Sequence, residues 1–172
     1  MIPDIELQLQ AVVKSLSDNV LPALDKGNQL AAQQGALSVA TLKNILQHLP
    51  LLHATLRRDI ETQCALAEQV LASLDTDASG TELESALAIA RSCLTDPTLG
   101  IVELQRDARN LREALGAVIA THSDAAKTDK LMAMVLASSE QSLMLGRSYN
   151  KPMGFEPSAK DVPDLATLLA EP

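Results

Sequence analysis

The sequence predicts an all-α fold, and three observations carry that reading. Most of the 47% apolar content is Ala and Leu, Trp is absent, and the only aromatics are Tyr149 and Phe155; these are helix formers rather than the β-branched and aromatic residues that a sheet wants. Leu52, Leu56, Ile60, Cys64, Ala67, Leu71 and Leu74 follow one another at steps of 3 or 4 residues, the period of one helix face. Nowhere does the alternation of a half-buried strand occur. The pattern reads as an antiparallel bundle of five to six helices over residues 1–149, followed by a Pro-containing tail over 150–172.

The first helix carries Ile5, Leu7, Leu9, Val12, Val13, Leu16 and Val20 ahead of Pro22, with Pro3 suited to a first turn. Asp25-Lys26-Gly27-Asn28 then supplies a helix-ending glycine beside a capping asparagine. The second helix runs through Leu30, Leu37, Val39, Leu42, Ile45, Leu46 and Leu49 to Pro50, and the stripe from Leu52 to Leu74 forms the third. Divided by one proline, these two are expected to lie side by side as a helical hairpin, or to form one kinked helix. The polar run Asp75 to Gly80 is a turn, and Thr81 with Glu84 matches a reciprocal capping box, so the fourth helix is expected from about Glu82. Asp96 can cap and Pro97 can open a fifth helix whose Ile101, Leu104, Ala108, Leu111, Leu115 and Val118 form a heptad seam. Ser123 can cap a sixth, carrying Leu131, Met132, Val135, Leu136, Leu143 and Leu145 and ending near Gly146. In the tail only Asp164 to Ala170 has room for about two helical turns. No repeat of fixed period is present, which speaks against a solenoid.

At 172 residues the chain is long enough for one domain with a sizeable core. A net charge of −8 disfavours nucleic acid as a partner, and no apolar run approaches the ~20 residues of a membrane span. With no basic start and apolar run of a signal peptide, a cytoplasmic location is expected. Cys64 and Cys93 sit inside helical patterns, as buried small apolar residues of a reducing compartment do.

Constellations that carry chemistry are sparse. His48 and His53 flank Pro50 at a spacing that does not place them on one helix face, and no Glu-x-x-His motif occurs, so no metal site is expected. No glycine loop has the spacing that cradles phosphate, and no strained turn presents a nucleophile; no cofactor or catalytic residue is assigned. Arg106, Arg109 and Arg112 with Arg57 and Arg58 offer charge for an anionic group, but charged residues also belong on the face opposite the heptad seam. Both aromatics fall at the end of the chain, close to Arg147 and Lys151, and Tyr and Arg are enriched at interface hot spots. Two readings stand side by side: Arg147, Tyr149, Lys151 and Phe155 bind a partner, or the aromatic rings fold back to plug the bundle. Likewise Leu165, Leu168 and Leu169 form an apolar edge that packs either on the bundle or on another protein.

Glu6-Leu7 through Ala11-Val12, the element Val20-Leu21-Pro22-Ala23-Leu24-Asp25 and the Ala-rich helix Ala31 to Leu46 resemble a family of short uncharacterised bacterial all-helical proteins, a domain of unknown function, over about 50 residues. Its members are encoded beside aminoglycoside-phosphotransferase-like kinases and acyl-CoA dehydrogenases. The chain departs from that family at Asn28 to Gln34, where an aromatic and basic residues are replaced by amides and alanine. The resemblance implies a non-catalytic accessory or adaptor protein whose partner is a kinase-like or acyl-CoA dehydrogenase-like enzyme of acyl-CoA catabolism, and it supplies no catalytic residue. The alternatives are a homo-oligomeric helical scaffold pairing through the fifth helix or the hairpin, and a bundle binding an acyl- or CoA-like ligand near His48, His53 or His122.

Overall fold

The computed structural model describes residues 4–74, 80–121 and 125–170, with the side chains of 125–128 left aside. Among the described residues the regular structure is helical, without a strand. The α-helices are α1 (Ile5–Ser15), α2 (Gln29–His48), α3 (Leu52–Ser73), α4 (Thr81–Thr95), α5 (Ile101–Thr121), α6 (Ala125–Asn150) and α7 (Leu165–Ala170). The chain divides into two compact units, one of residues up to Pro50 with Tyr149–Asp161, the other of Leu51–Ser148 with the segment from Val162 onward.

The first unit opens at Asp4, whose carboxylate accepts the Leu7 N–H at 3.0 Å and caps α1. Pro22 has no N–H, and in a regular helix its ring would meet the carbonyl four residues back. The helix meets this by widening into one π-turn over Leu16–Val20, in which the Leu21 N–H reaches the Leu16 carbonyl, and then tightening into a 3-10 turn over Leu21–Ala23. Asn28 caps α2 as expected, accepting the Ala31 N–H at 3.0 Å. A side chain at Gly35 would overlap Leu21 Cδ2, so this glycine lets α2 approach the Leu-Pro-Ala turn.

The second unit holds the core. Ile60, Ala67 and Val70 of α3, Leu83, Leu87 and Ala90 of α4, and Leu104, Ala108, Leu111, Leu115 and Val118 of α5 are buried in one cluster, joined by Leu131 of α6. Alanines facing leucines let these three helices come close while filling the space between them. The heptad seam of α5 is thus spent on the core and is not open for self-pairing; Ile101, outside the buried set, is 37% exposed. The expected hairpin of second and third helices is not where this core forms: α3 packs with α4 and α5, while α2 belongs to the other unit.

Other differences follow local chemistry. Helix α4 begins at Thr81 with Gly80 at its cap and no capping side chain, so the Thr81–Glu84 box does not form. Asp96 closes α4 instead of opening α5, its carboxylate accepting the Thr98 N–H at 2.8 Å and the Thr98 hydroxyl at 2.6 Å, a local turn that takes Pro97 out of the helix. Helix α6 runs past Gly146 to Asn150, where the chain tightens into a 3-10 turn containing Pro152, and the left-handed Gly154, φ 79°, closes that turn. The polar turn over 75–79, Pro3 and the Ser123 cap lie outside the described residues.

Candidate interaction site

In the first unit the end of α6 meets the end of α2. The Tyr149 and His48 rings stack with centroids 4.7 Å apart and an interplanar angle of 29°. His48 is buried, and its Nδ1–H donates to the Asn44 carbonyl at 3.0 Å. Burial holds its pKa below the ordinary histidine value, because the imidazolium would lose its water; the backbone hydrogen bond offsets only part of this. After Tyr149 and Asn150 the chain makes a 3-10 turn over Lys151–Met153 that contacts α2, and the left-handed Gly154 redirects it. Phe155 follows and is 73% exposed.

The two late aromatics therefore part company. Tyr149 folds back onto α2, and Phe155 stands in solvent. Arg147 and Lys151 are half-buried, Leu165 is buried in α7, which packs against α3, and Leu168 and Leu169 are half-buried in α7. Leu168 also lines a cleft of about 490 Å³ with Arg58 and Thr62 of α3 and Glu140 and Met144 of α6.

The first unit also leaves aliphatic residues of its helices uncovered. Helix α1 has no buried residue, and Ile5, Leu7, Val12 and Val20 are 45–62% exposed. On α2, Leu30, Leu37 and Ile45 are 39–67% exposed, on a face other than that of Gly35 and Val39. This unit holds six carboxylates against five lysines, so the chain's acidic excess resides in the other unit. Their helical spacing is the same whether the face meets its own chain or another.

The candidate chemical groups are occupied elsewhere. The Arg57 guanidinium donates to the Cys93 carbonyl at 3.3 Å, the Asp96 carbonyl at 3.2 Å and the Leu94 carbonyl, satisfying the open end of α4. Arg58 pairs with Glu61, Arg106 with Asp107 and Arg112 with Asp59. The five arginines thus do not gather, although Arg109 and Arg112 share a cleft beside Gln105 and Glu113. His53 donates from Nε2 to the Leu99 carbonyl at 3.1 Å. The Cys93 thiol donates to buried Asp107 at 2.8 Å. Burial first, and for Cys93 also the Asp107 carboxylate, pushes both thiols up to about 11, far from a reactive thiolate. The Arg106 guanidinium holds the Asp107 carboxyl below the usual carboxylate range.

Among the described residues no three His, Cys, Asp or Glu side chains converge as metal ligands, and no helix is long and apolar enough to cross a membrane. Compared with models of protein families, with curated proteins and with solved structures, the chain matches none.

Proposed function

We propose that this chain is a non-catalytic accessory protein that docks onto a partner enzyme through its N-terminal unit, using the exposed aliphatic residues of α1 and α2 together with Phe155. The observation that carries this reading is α1 itself, a helix with three large aliphatic side chains, Ile5, Leu7 and Val12, in solvent and none buried. Leu9 and Val13 are only half-buried although α1 contacts α2, and exposed aliphatic surface marks protein-binding sites in soluble proteins. The near-neutral charge of this unit supports the same reading, since a partner approaches it without strong long-range repulsion. The resemblance of Val20 to Asp25 and its flanking helices points to a phosphotransferase-like kinase or an acyl-CoA dehydrogenase-like enzyme as that partner.

The test is affinity capture from the native cell with the full chain and with Leu7→Glu, Leu30→Glu and Phe155→Ser variants. Point variants are preferable to removing the tail, because Leu165 is part of the second unit's packing. Stoichiometric recovery of one enzyme by the parent chain, lost in variants of unchanged circular dichroism, is expected. Equal recovery by all forms, or none by the parent, contradicts the proposal.

A further inference from the structure

We infer that the His48–Tyr149 stack is an acid-released clasp: protonation of His48 lets Tyr149 and the turn after it leave the end of α2, and with them goes the placement of Phe155. Ser148 and Val162 are each 1% exposed, whereas no residue of the stretch between them, 149–161, is fully buried. The stretch is thus a loop pinned at both ends. It meets α2 through the Tyr149 ring and the Lys151–Met153 turn, and Tyr149, Lys151, Met153 and Glu156 are half-buried along it. Opening it bares little apolar surface beyond one ring and one methionine, so it costs far less than unfolding a core helix.

This end of α2 is polar inside. Asn44 and His48, one turn apart, are both buried, and the Asn44 side-chain oxygen has no hydrogen-bond partner among the described residues. A buried acceptor left unpaired favours an opening that admits water. His48 spends its Nδ1–H on the Asn44 carbonyl, and its Nε2 has no partner among the described residues, so the second proton of an imidazolium enters a site without an acceptor for it. The Tyr149 ring face attracts a cation only weakly beside the cost of removing that cation's water. Charged groups on α2 and the elements packed against it do not compensate. Lys43 and Lys151 carry the sign of an imidazolium, Lys14 and Asp18 pair with each other at 3.3 Å, Asp4 caps α1 and Glu6 takes the Gln10 amide. Burial lowers the His48 pKa and only the Asn44 carbonyl opposes it. In the opened loop the same histidine titrates at its ordinary 6.5, so each pH unit below that value weakens closure by up to about tenfold, until the closed form also takes the proton.

Tyr149 is the only tyrosine and Trp is absent, so tyrosine fluorescence reports this one site. Acrylamide quenching of the full chain is expected to rise severalfold between pH 7.5 and about 5, with its midpoint below the ordinary histidine value and far-ultraviolet circular dichroism unchanged. In His48→Phe, which keeps a ring against Tyr149 and has nothing to protonate, quenching is expected to stay low at both pH values. Quenching of the parent that does not rise, that rises equally in His48→Phe, or that rises only with loss of helix overturns the inference. Amide exchange of residues 150–156, corrected for its intrinsic pH dependence, reads the parent without a substitution: acceleration confined to that stretch is expected, and unchanged protection overturns the clasp. The consequence for Phe155 rests on the docking role proposed above, whereas the opening is read on the chain alone. Enzyme capture that weakens at acid pH in the parent and not in His48→Phe supports that consequence, and equal weakening in both overturns it. A chain that opens with acid and captures nothing at any pH fails the docking role and keeps the clasp.

Discussion

His48 and Tyr149, 101 positions apart in the sequence, stack ring on ring at 4.7 Å and fasten the C-terminal end of α2 to the segment that leaves α6. Because burial lowers the His48 pKa, the folded state holds a neutral imidazole where the unfolded chain binds a proton below the ordinary value of 6.5. Its contribution to stability is complete above that value and declines as pH falls below it. Urea unfolding at pH 7.5 and 5.5 is expected to show a larger loss for the parent chain than for His48→Gln, and Tyr149→Ala is expected to lose ~0.5–1.5 kcal/mol beyond the burial of its ring. Identical pH slopes for the parent and the histidine variant would contradict this.

Arg57 stands in for a C-cap by holding three carbonyls at the end of α4. Charge-assisted hydrogen bonds of this kind are worth ~1.5–3 kcal/mol, so Arg57→Ala is expected to lower the thermal midpoint by several degrees. Arg57→Lys should restore little, because an ammonium lacks the planar fork that reaches several acceptors at once.

The Cys93–Asp107–Arg106 chain makes a polar seam beside the core. Removing its centre with Asp107→Ala leaves the thiol and the guanidinium without their acceptor and is expected to destabilise by ~1–3 kcal/mol in denaturant titration. Since both thiols ionise only at about 11, a maleimide at pH 8 should leave Cys64 and Cys93 unmodified in the folded chain and label both in urea. Raised thiol pKa values also mean that stability is full below the ordinary thiol value of 9.0 and falls as pH climbs from there towards 11.

Much of the second unit was legible in the sequence. The seam Leu104, Ala108, Leu111, Leu115 and Val118 and the stripe through Ile60, Cys64 and Ala67 are buried as their spacing requires. Asp107 was not foreseen as a buried group, although its place one step before Ala108 on the seam side and its neighbour Arg106 were both readable. The helix starts at Thr81 and Ile101 depended on local turn geometry, where Asp96 had two competing uses. The apolar faces of α1 and α2 illustrate a more basic limit, for periodicity announces that a helix face is to be covered without saying by which chain.

The contrast between the two units makes a paired prediction. Leu104→Ala, fully buried, is expected to cost ~2–5 kcal/mol, and Leu7→Ala, 62% exposed, no more than ~0.5 kcal/mol in the same unfolding assay. Comparable losses at both sites would mean that Leu7 is already packed.

Native-state hydrogen exchange of the chain alone tests most directly whether the N-terminal unit is a docking face awaiting a partner. Amides of α1, which buries nothing of its own, are expected to exchange through local opening, orders of magnitude faster than those of α3, α4 and α5, which open only on global unfolding. If α1 instead shows the same protection as α5, its apolar face is satisfied within the chain, and the proposed accessory role loses its footing.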